Sequence, residues 1–153
     1  FSKQKMAIRI VSGLKYNAHT EPTFKKLSIL PFPSLTEYFV IQFMQRYTQG
    51  FLPVIFNNTW ITNAVRRGDG GELAALRNGA ELHIPPARTT QTDSHPLTNF
   101  PRTWVAMAEE SAEICFIRNK VEFDRKLKKH LLAKLSPVVI CNRLLYCPSC
   151  NNH

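Results

Sequence analysis

Acidic groups are scarce in this chain: 11 Asp and Glu stand against 20 Lys and Arg, for a net charge of +9 and a pI near 9.7. That imbalance favours polyanionic partners, nucleic acid first among them. A basic surface kept only for solubility is the plainer alternative. The acids are also dispersed. No Asp-Asp pair occurs, and the only adjacent acids, Glu109-Glu110, sit among alanines. Two-metal polymerase or nuclease chemistry needs clustered carboxylates to hold its ions, so no such centre is expected here. A G-x-S-x-G elbow for a serine nucleophile is missing. Gly68, Gly70 and Gly71 do not have the G-x-x-x-x-G-K-[ST] spacing of a phosphate cradle. No apolar run approaches the roughly 18 residues of a membrane span, and none is placed as a signal peptide; no membrane partner is expected. Three of the four cysteines crowd the C-terminal end instead of spreading as a disulfide framework would. That usage points to a reducing compartment, nucleus or cytoplasm. The chain starts at Phe1 rather than at methionine, which suggests a fragment or a processed product.

The charge that is present is unevenly spread. Residues 1–26 carry Lys3, Lys5, Arg9, Lys15, Lys25 and Lys26 against Glu21 alone. Residues 27–65 hold only Glu37 and Arg46, and residues 118–136 hold seven basic groups against Glu122 and Asp124. Two basic arms therefore flank a nearly neutral middle.

Apolar periodicity predicts helices along most of the chain. Residues 2–12 form an amphipathic pattern with Met6 and Ile10 on one side, stopped by Gly13. Thr20 is the expected N-cap of a second helix, with Glu21 and Pro22 in its first turn and Phe24 and Leu27 on one face. Leu30-Pro31-Phe32-Pro33 breaks it. Ser34 and Glu37 make a capping box for a third helix, carrying Leu35, Phe39, Phe43 and Tyr47 at four-residue spacing and ending at Gly50. Glu81-Leu82-His83-Ile84 alternates like a short strand, and Thr103-Trp104-Val105 suits either its partner or a helix start. From Asn119 to Leu135 the residues Phe123, Leu127, Leu131 and Leu135 line one helix face, with Lys126, Lys128, Lys129 and Lys134 opposite. A solvated lysine face and a phosphate-contacting face both fit that pattern.

The expected fold is mainly α, with four to five helices and a small irregular β element around residues 80–105, built as part of a larger protein. Four segments follow from the composition: a basic arm with an apolar helical block (1–65), a loop-rich segment with short strands (66–105), an acidic turn with a basic amphipathic helix (106–136), and a cysteine-rich tail (137–153). The tail is the one metal-like cluster. In Cys141-x5-Cys147-x2-Cys150-x2-His153, the C-x-x-C pair puts two thiolates on one tight turn, half of a tetrahedral zinc site. A cysteine-containing tail without metal is the alternative. His19, His83, His95 and His130 have no ligand spacing, and Cys115 reads as a small buried hydrophobe. Nothing else in the chain requires a cofactor.

Several segments taken together resemble a known family. Ala7-Ile8-Arg9-Ile10 comes first, followed by His19-Thr20-Glu21-Pro22-Thr23-Phe24-Lys25-Lys26-Leu27-Ser28-Ile29-Leu30. Pro101-Arg102-Thr103-Trp104, Phe123-Asp124-Arg125-Lys126-Leu127-Lys128-Lys129 and Cys147-Pro148-Ser149-Cys150 come later. Their order resembles the region after the polymerase core in LINE-type (non-LTR) retrotransposon reverse transcriptases, jockey-like ones included. After the tryptophan the family often has Asn and then Leu-Pro, where this chain has Val105, Met107 and Ala108. The resemblance implies a parent RNA-directed DNA polymerase that uses magnesium at aspartates upstream of anything matched here, so no residue of this chain inherits a catalytic role. It further implies a C-terminal accessory segment with two partners: template RNA or target DNA, and the upstream polymerase domain. The nucleic acid would be gripped through Lys3, Lys5, Arg9, Lys15, Lys25, Lys26, Lys126, Lys128 and Lys129. The competing expectation is a decayed or domesticated fragment acting as a protein-interaction module. Leu35, Phe39, Phe43, Phe51, Phe56 and Trp60 would then be its interface.

Overall fold

The computed structural model describes residues 1–66 and 82–135. The protein is mainly helical. Its elements in order are α1 (Ser2–Val11), α2 (Glu21–Lys26), α3 (Phe32–Thr48), a 3-10 turn (Val54–Phe56), α4 (Asn63–Arg66), α5 (Thr90–Ser94), α6 (Pro96–Cys115) and α7 (Lys120–Lys134). The chain divides into two compact units. The first comprises Phe1–Tyr38 with the described residues from Asn119 onward, and the second comprises Phe39–Arg118.

In the first unit, three helices come from two distant stretches of sequence. The stripe expected on α7 is its buried face: Phe123, Leu127 and Leu131 are all essentially sealed from solvent. The helix starts where Asn119 accepts the N–H groups of Val121 and Glu122 on its side-chain oxygen, which satisfies two of the four orphan donors of a helix start. On α1 the expected apolar side is corrected. Ile8 is buried while Met6, Ile10 and Val11 are exposed, because α1 is docked through Gln4, one turn before Ile8. The Gln4 amide donates to the Leu30 carbonyl at 2.9 Å and accepts from the Phe32 N–H at 2.7 Å. That second bond caps α3, which begins three residues earlier than the Ser34 capping box predicts. Ser34 lies inside the helix, and Glu37 pairs instead with Lys134 of α7 at 3.5 Å.

Thr20 is at the N-cap of α2 as expected, but its side chain makes no capping hydrogen bond and is buried. The helix is also shorter than Thr20-to-Leu30 spacing suggests. Leu27 closes it, Ser28 turns left-handed at φ 52°, and the N–H groups of Ser28 and Ile29 return to the carbonyls of Lys25 and Phe24. This is a Schellman closure. The same pair of bonds ends α1 at Gly13 and α3 at Gly50, the two positions where glycine was expected to stop a helix.

The second unit is built on aromatic packing. Val40, Met44 and Trp60 form its buried cluster, with Phe43, Tyr47, Leu82, Phe100 and Trp104 packed around it. Phe43 meets Phe56, Trp60 and Phe100 edge-on at centroid distances of 5.3, 5.9 and 5.5 Å, the arrangement that ring quadrupoles favour. The Tyr47 hydroxyl donates to the Trp60 carbonyl and accepts its N–H, fixing the chain after the 3-10 turn against α3. The buried Gln45 amide donates to the Ile117 carbonyl at 2.7 Å.

The small β element expected around 80–105 is corrected. Among the described residues only an isolated antiparallel bridge, Thr62 to Leu82, takes its place. Residues 103–105 lie within α6. The local start signal decides this: His95 caps the helix by accepting the Leu97 N–H, and Pro96 occupies its first position, where a missing N–H costs nothing. Pro101 is accommodated further along α6, and the helix kinks at Ser111. No described helix is long and apolar enough to cross a membrane.

Candidate nucleic-acid interface

The residues expected to bind nucleic acid all belong to the first unit. Its described residues hold twelve Lys and Arg against Glu21, Glu37, Glu122 and Asp124, a net of +8. The described residues of the second unit hold five against four. Nearly all of the chain's excess positive charge therefore gathers in one unit, although in sequence it lies in two arms about a hundred residues apart.

Within that unit the nine candidates are not equivalent. Lys3, Lys15, Lys25, Lys26, Lys128 and Lys129 are exposed, and none forms an ion pair among the described residues. Lys25 and Lys26 occupy the last turn of α2, where the helix dipole favours cations. Three others have structural duties. Arg9 donates through Nε to the Ala18 carbonyl at 3.0 Å and sits 5.9 Å from the Tyr16 ring centre, so it holds the α1–α2 loop to its helix. Lys5 lies over the Phe1 ring at 4.5 Å. Lys126 pairs with Glu122 one turn earlier on α7 at 3.1 Å, a solvent-exposed pair of small energetic worth.

Two further cations were missed at the sequence level. Lys120 and Arg125 are exposed on the same helix as Lys128 and Lys129. The basic count over 118–136 already included them, and only the apolar register of α7 shows that they face water. Alongside these cations Tyr16 is 84% exposed, an aromatic surface of the kind on which unpaired bases stack. Burial and the nearby Asp124 carboxylate raise the pKa of the Tyr38 hydroxyl above its ordinary value.

The proposed zinc ligands Cys141, Cys147, Cys150 and His153 lie outside the described residues. Among the described residues no group of three or more His, Cys, Asp or Glu is placed to hold a metal ion. Cys115 is half-buried, and burial pushes its thiol above its ordinary value.

The second unit contains a cavity of about 750 Å³ between the end of α3, the segment after the 3-10 turn and the middle of α6. The residues that line it include Trp60, Trp104, Asn57, Asn58 and Glu109.

Compared with models of protein families, with curated proteins and with solved structures, the chain matches none.

Proposed function

We propose that this chain is a nucleic-acid-binding accessory segment without catalytic residues of its own, the part that follows the polymerase in an RNA-directed DNA polymerase of the LINE type. The observation that carries the binding half of this reading is the gathering of exposed lysines from both basic arms, without an ion pair among the described residues, into one unit whose described residues have a net charge of +8. The order of the sequence motifs supports the parentage. Template RNA and target DNA are the two ligands in view, and the upstream polymerase domain is the protein partner. Zinc at Cys141, Cys147, Cys150 and His153 belongs to the same proposal; metal analysis of the purified chain finding none would remove it.

Each neutralised phosphate releases a counterion, so binding should weaken with salt at a slope of about −0.7 per contact for a single strand. With six exposed lysines engaged the slope is about −4, and affinity falls by about two orders of magnitude between roughly 50 and 200 mM salt. Fluorescence anisotropy on single-stranded RNA and DNA measures this directly.

One observation favours a second reading, a protein-interaction module. Phe51, Val54 and Ile55 are 73, 81 and 83% exposed around the 3-10 turn. Of the other residues expected in that interface, Phe39 is also exposed, whereas Trp60 is buried and Phe43 and Phe56 pack on each other. Concentration-dependent self-association or partner capture, without nucleic-acid binding, selects this alternative.

A further inference from the structure

We propose that the cavity of the second unit receives an unpaired purine base, an inference that rests on the nucleic-acid-binding reading for the strand that delivers it. At about 750 Å³ the cavity falls in the range of ordinary ligand pockets, about 300–1,000 Å³, and has room for a base with its sugar. Among the described residues neither lysine nor arginine lines it. A phosphate would find no counter-charge there and would meet Glu109, so the cavity suits the neutral, flat part of a nucleotide.

The tryptophans divide the work. Trp60 is 7% exposed, and its ring is engaged edge-on by Tyr47 at 4.9 Å and stacked with Phe100 at 6.0 Å. It is wall. Trp104 is half-buried on the edge of the same cluster and, among the described residues, takes part in no ring pair and no hydrogen bond. Its indole is the surface left for stacking.

The polar groups around it are equally unspent. The side chains of Asn57, Asn58 and Glu109 make no hydrogen bond or ion pair among the described residues, yet all three line one cavity. An amide offers a donor and an acceptor side by side, the pairing that an adenine edge takes; a carboxylate accepts from the two N–H groups on the Watson–Crick edge of guanine. An aromatic platform beside such groups is how unstacked bases are held.

The test uses the full chain and its two tryptophans, both of which line the cavity. Tryptophan fluorescence is followed during titration with AMP, GMP and ribose 5-phosphate. In parallel, anisotropy compares a purine single strand with an abasic strand of the same length. A stacked base contributes about 1–3 kcal/mol, so the purine strand should bind at least about fivefold more tightly than the abasic one. AMP or GMP should quench saturably at about millimolar concentration, and ribose 5-phosphate should not. Trp104→Leu should erase most of the purine advantage and, independently, Glu109→Ala should erase the preference for a guanine strand over an adenine strand, both while leaving abasic binding unchanged. Glu109 is exposed, so its variant stays informative even if Trp104→Leu fails to fold. Equal binding of purine and abasic strands, or a guanine preference that is unchanged in Glu109→Ala, overturns the base site and leaves the lysine reading standing. If neither strand binds, the lysine reading fails, and quenching by AMP and GMP but not ribose 5-phosphate still decides for or against the cavity.

Discussion

Ser28 shows what a single residue contributes to this fold. It stands in the left-handed region at φ 52°, where the Schellman bonds that end α2 require it. An L-residue there costs about 1–2 kcal/mol, part of which glycine would return through its looser unfolded chain. Ser28→Gly is therefore expected to stabilise the protein by about 0.5–1 kcal/mol and raise the thermal midpoint by a few degrees. A lower midpoint would sink that account. The proton balance of His83 is a second case. Its backbone N–H donates to the Ile61 carbonyl at 2.8 Å, and desolvation with Arg66 nearby holds its imidazole below the ordinary value of about 6.5. The folded state thus prefers the neutral ring, and the unfolded state takes up a proton first. Stability from this group is complete above about pH 6.5 and is lost as pH falls through the lowered folded value. The midpoint of the His83 ring resonances by NMR should lie below 6.5, and His83→Gln should flatten the pH dependence; a midpoint above 6.5 contradicts it. Neither residue was legible in the sequence. Ser28 followed a lysine-rich helix end with no glycine to announce the stop, and the environment of His83 depends on Arg66 meeting it across the chain.

At the scale of elements, local signals were readable on α7 and at the glycine stops but not at the start of α3, where Ser34 lies inside the helix and Phe39 of the expected stripe is exposed while Val40, Ile41 and Met44 are buried. The α7 stripe of Phe123, Leu127 and Leu131 is the buried face that its four-residue spacing predicts, and Gly13 and Gly50 end their helices. The Asn119 cap carries a direct consequence. Removing the side-chain oxygen that accepts Val121 and Glu122 should cost about 1 kcal/mol, so Asn119→Ala is expected to lower the denaturation midpoint without changing its slope. A neutral result would show that α7 is held by packing alone. The misreadings came where two signals competed. On α1 the apolar pattern pointed to Met6 and Ile10, but the Gln4 clamp on Leu30 and Phe32 turns Ile8 inward instead. Around Thr103, where the sequence allowed either a strand or a helix start, the His95-Pro96 signal settles it as helix.

For the molecule as a whole, the decisive property is one that no single segment carries. The sequence places basic residues at 1–26 and 118–136, and each run alone is compatible with a solvated face. Folding puts both into one unit of net +8 and leaves the other, with its aromatic core and cavity, near neutrality. The candidate lysines were thus legible as residue types. Their division into exposed and engaged members was not, because it depends on partners such as Ala18 for Arg9 and Glu122 for Lys126. That division makes the central claim testable. The most direct measurement is the salt dependence of single-strand binding for the full chain and two variants, Lys128→Gln/Lys129→Gln and Lys126→Gln. The account predicts a slope of about −4 for the unmodified chain. The double variant should be shallower by about 1.4, and Lys126→Gln should change least. Binding that does not vary between roughly 50 and 200 mM salt, or a double variant with an unchanged slope, would contradict it.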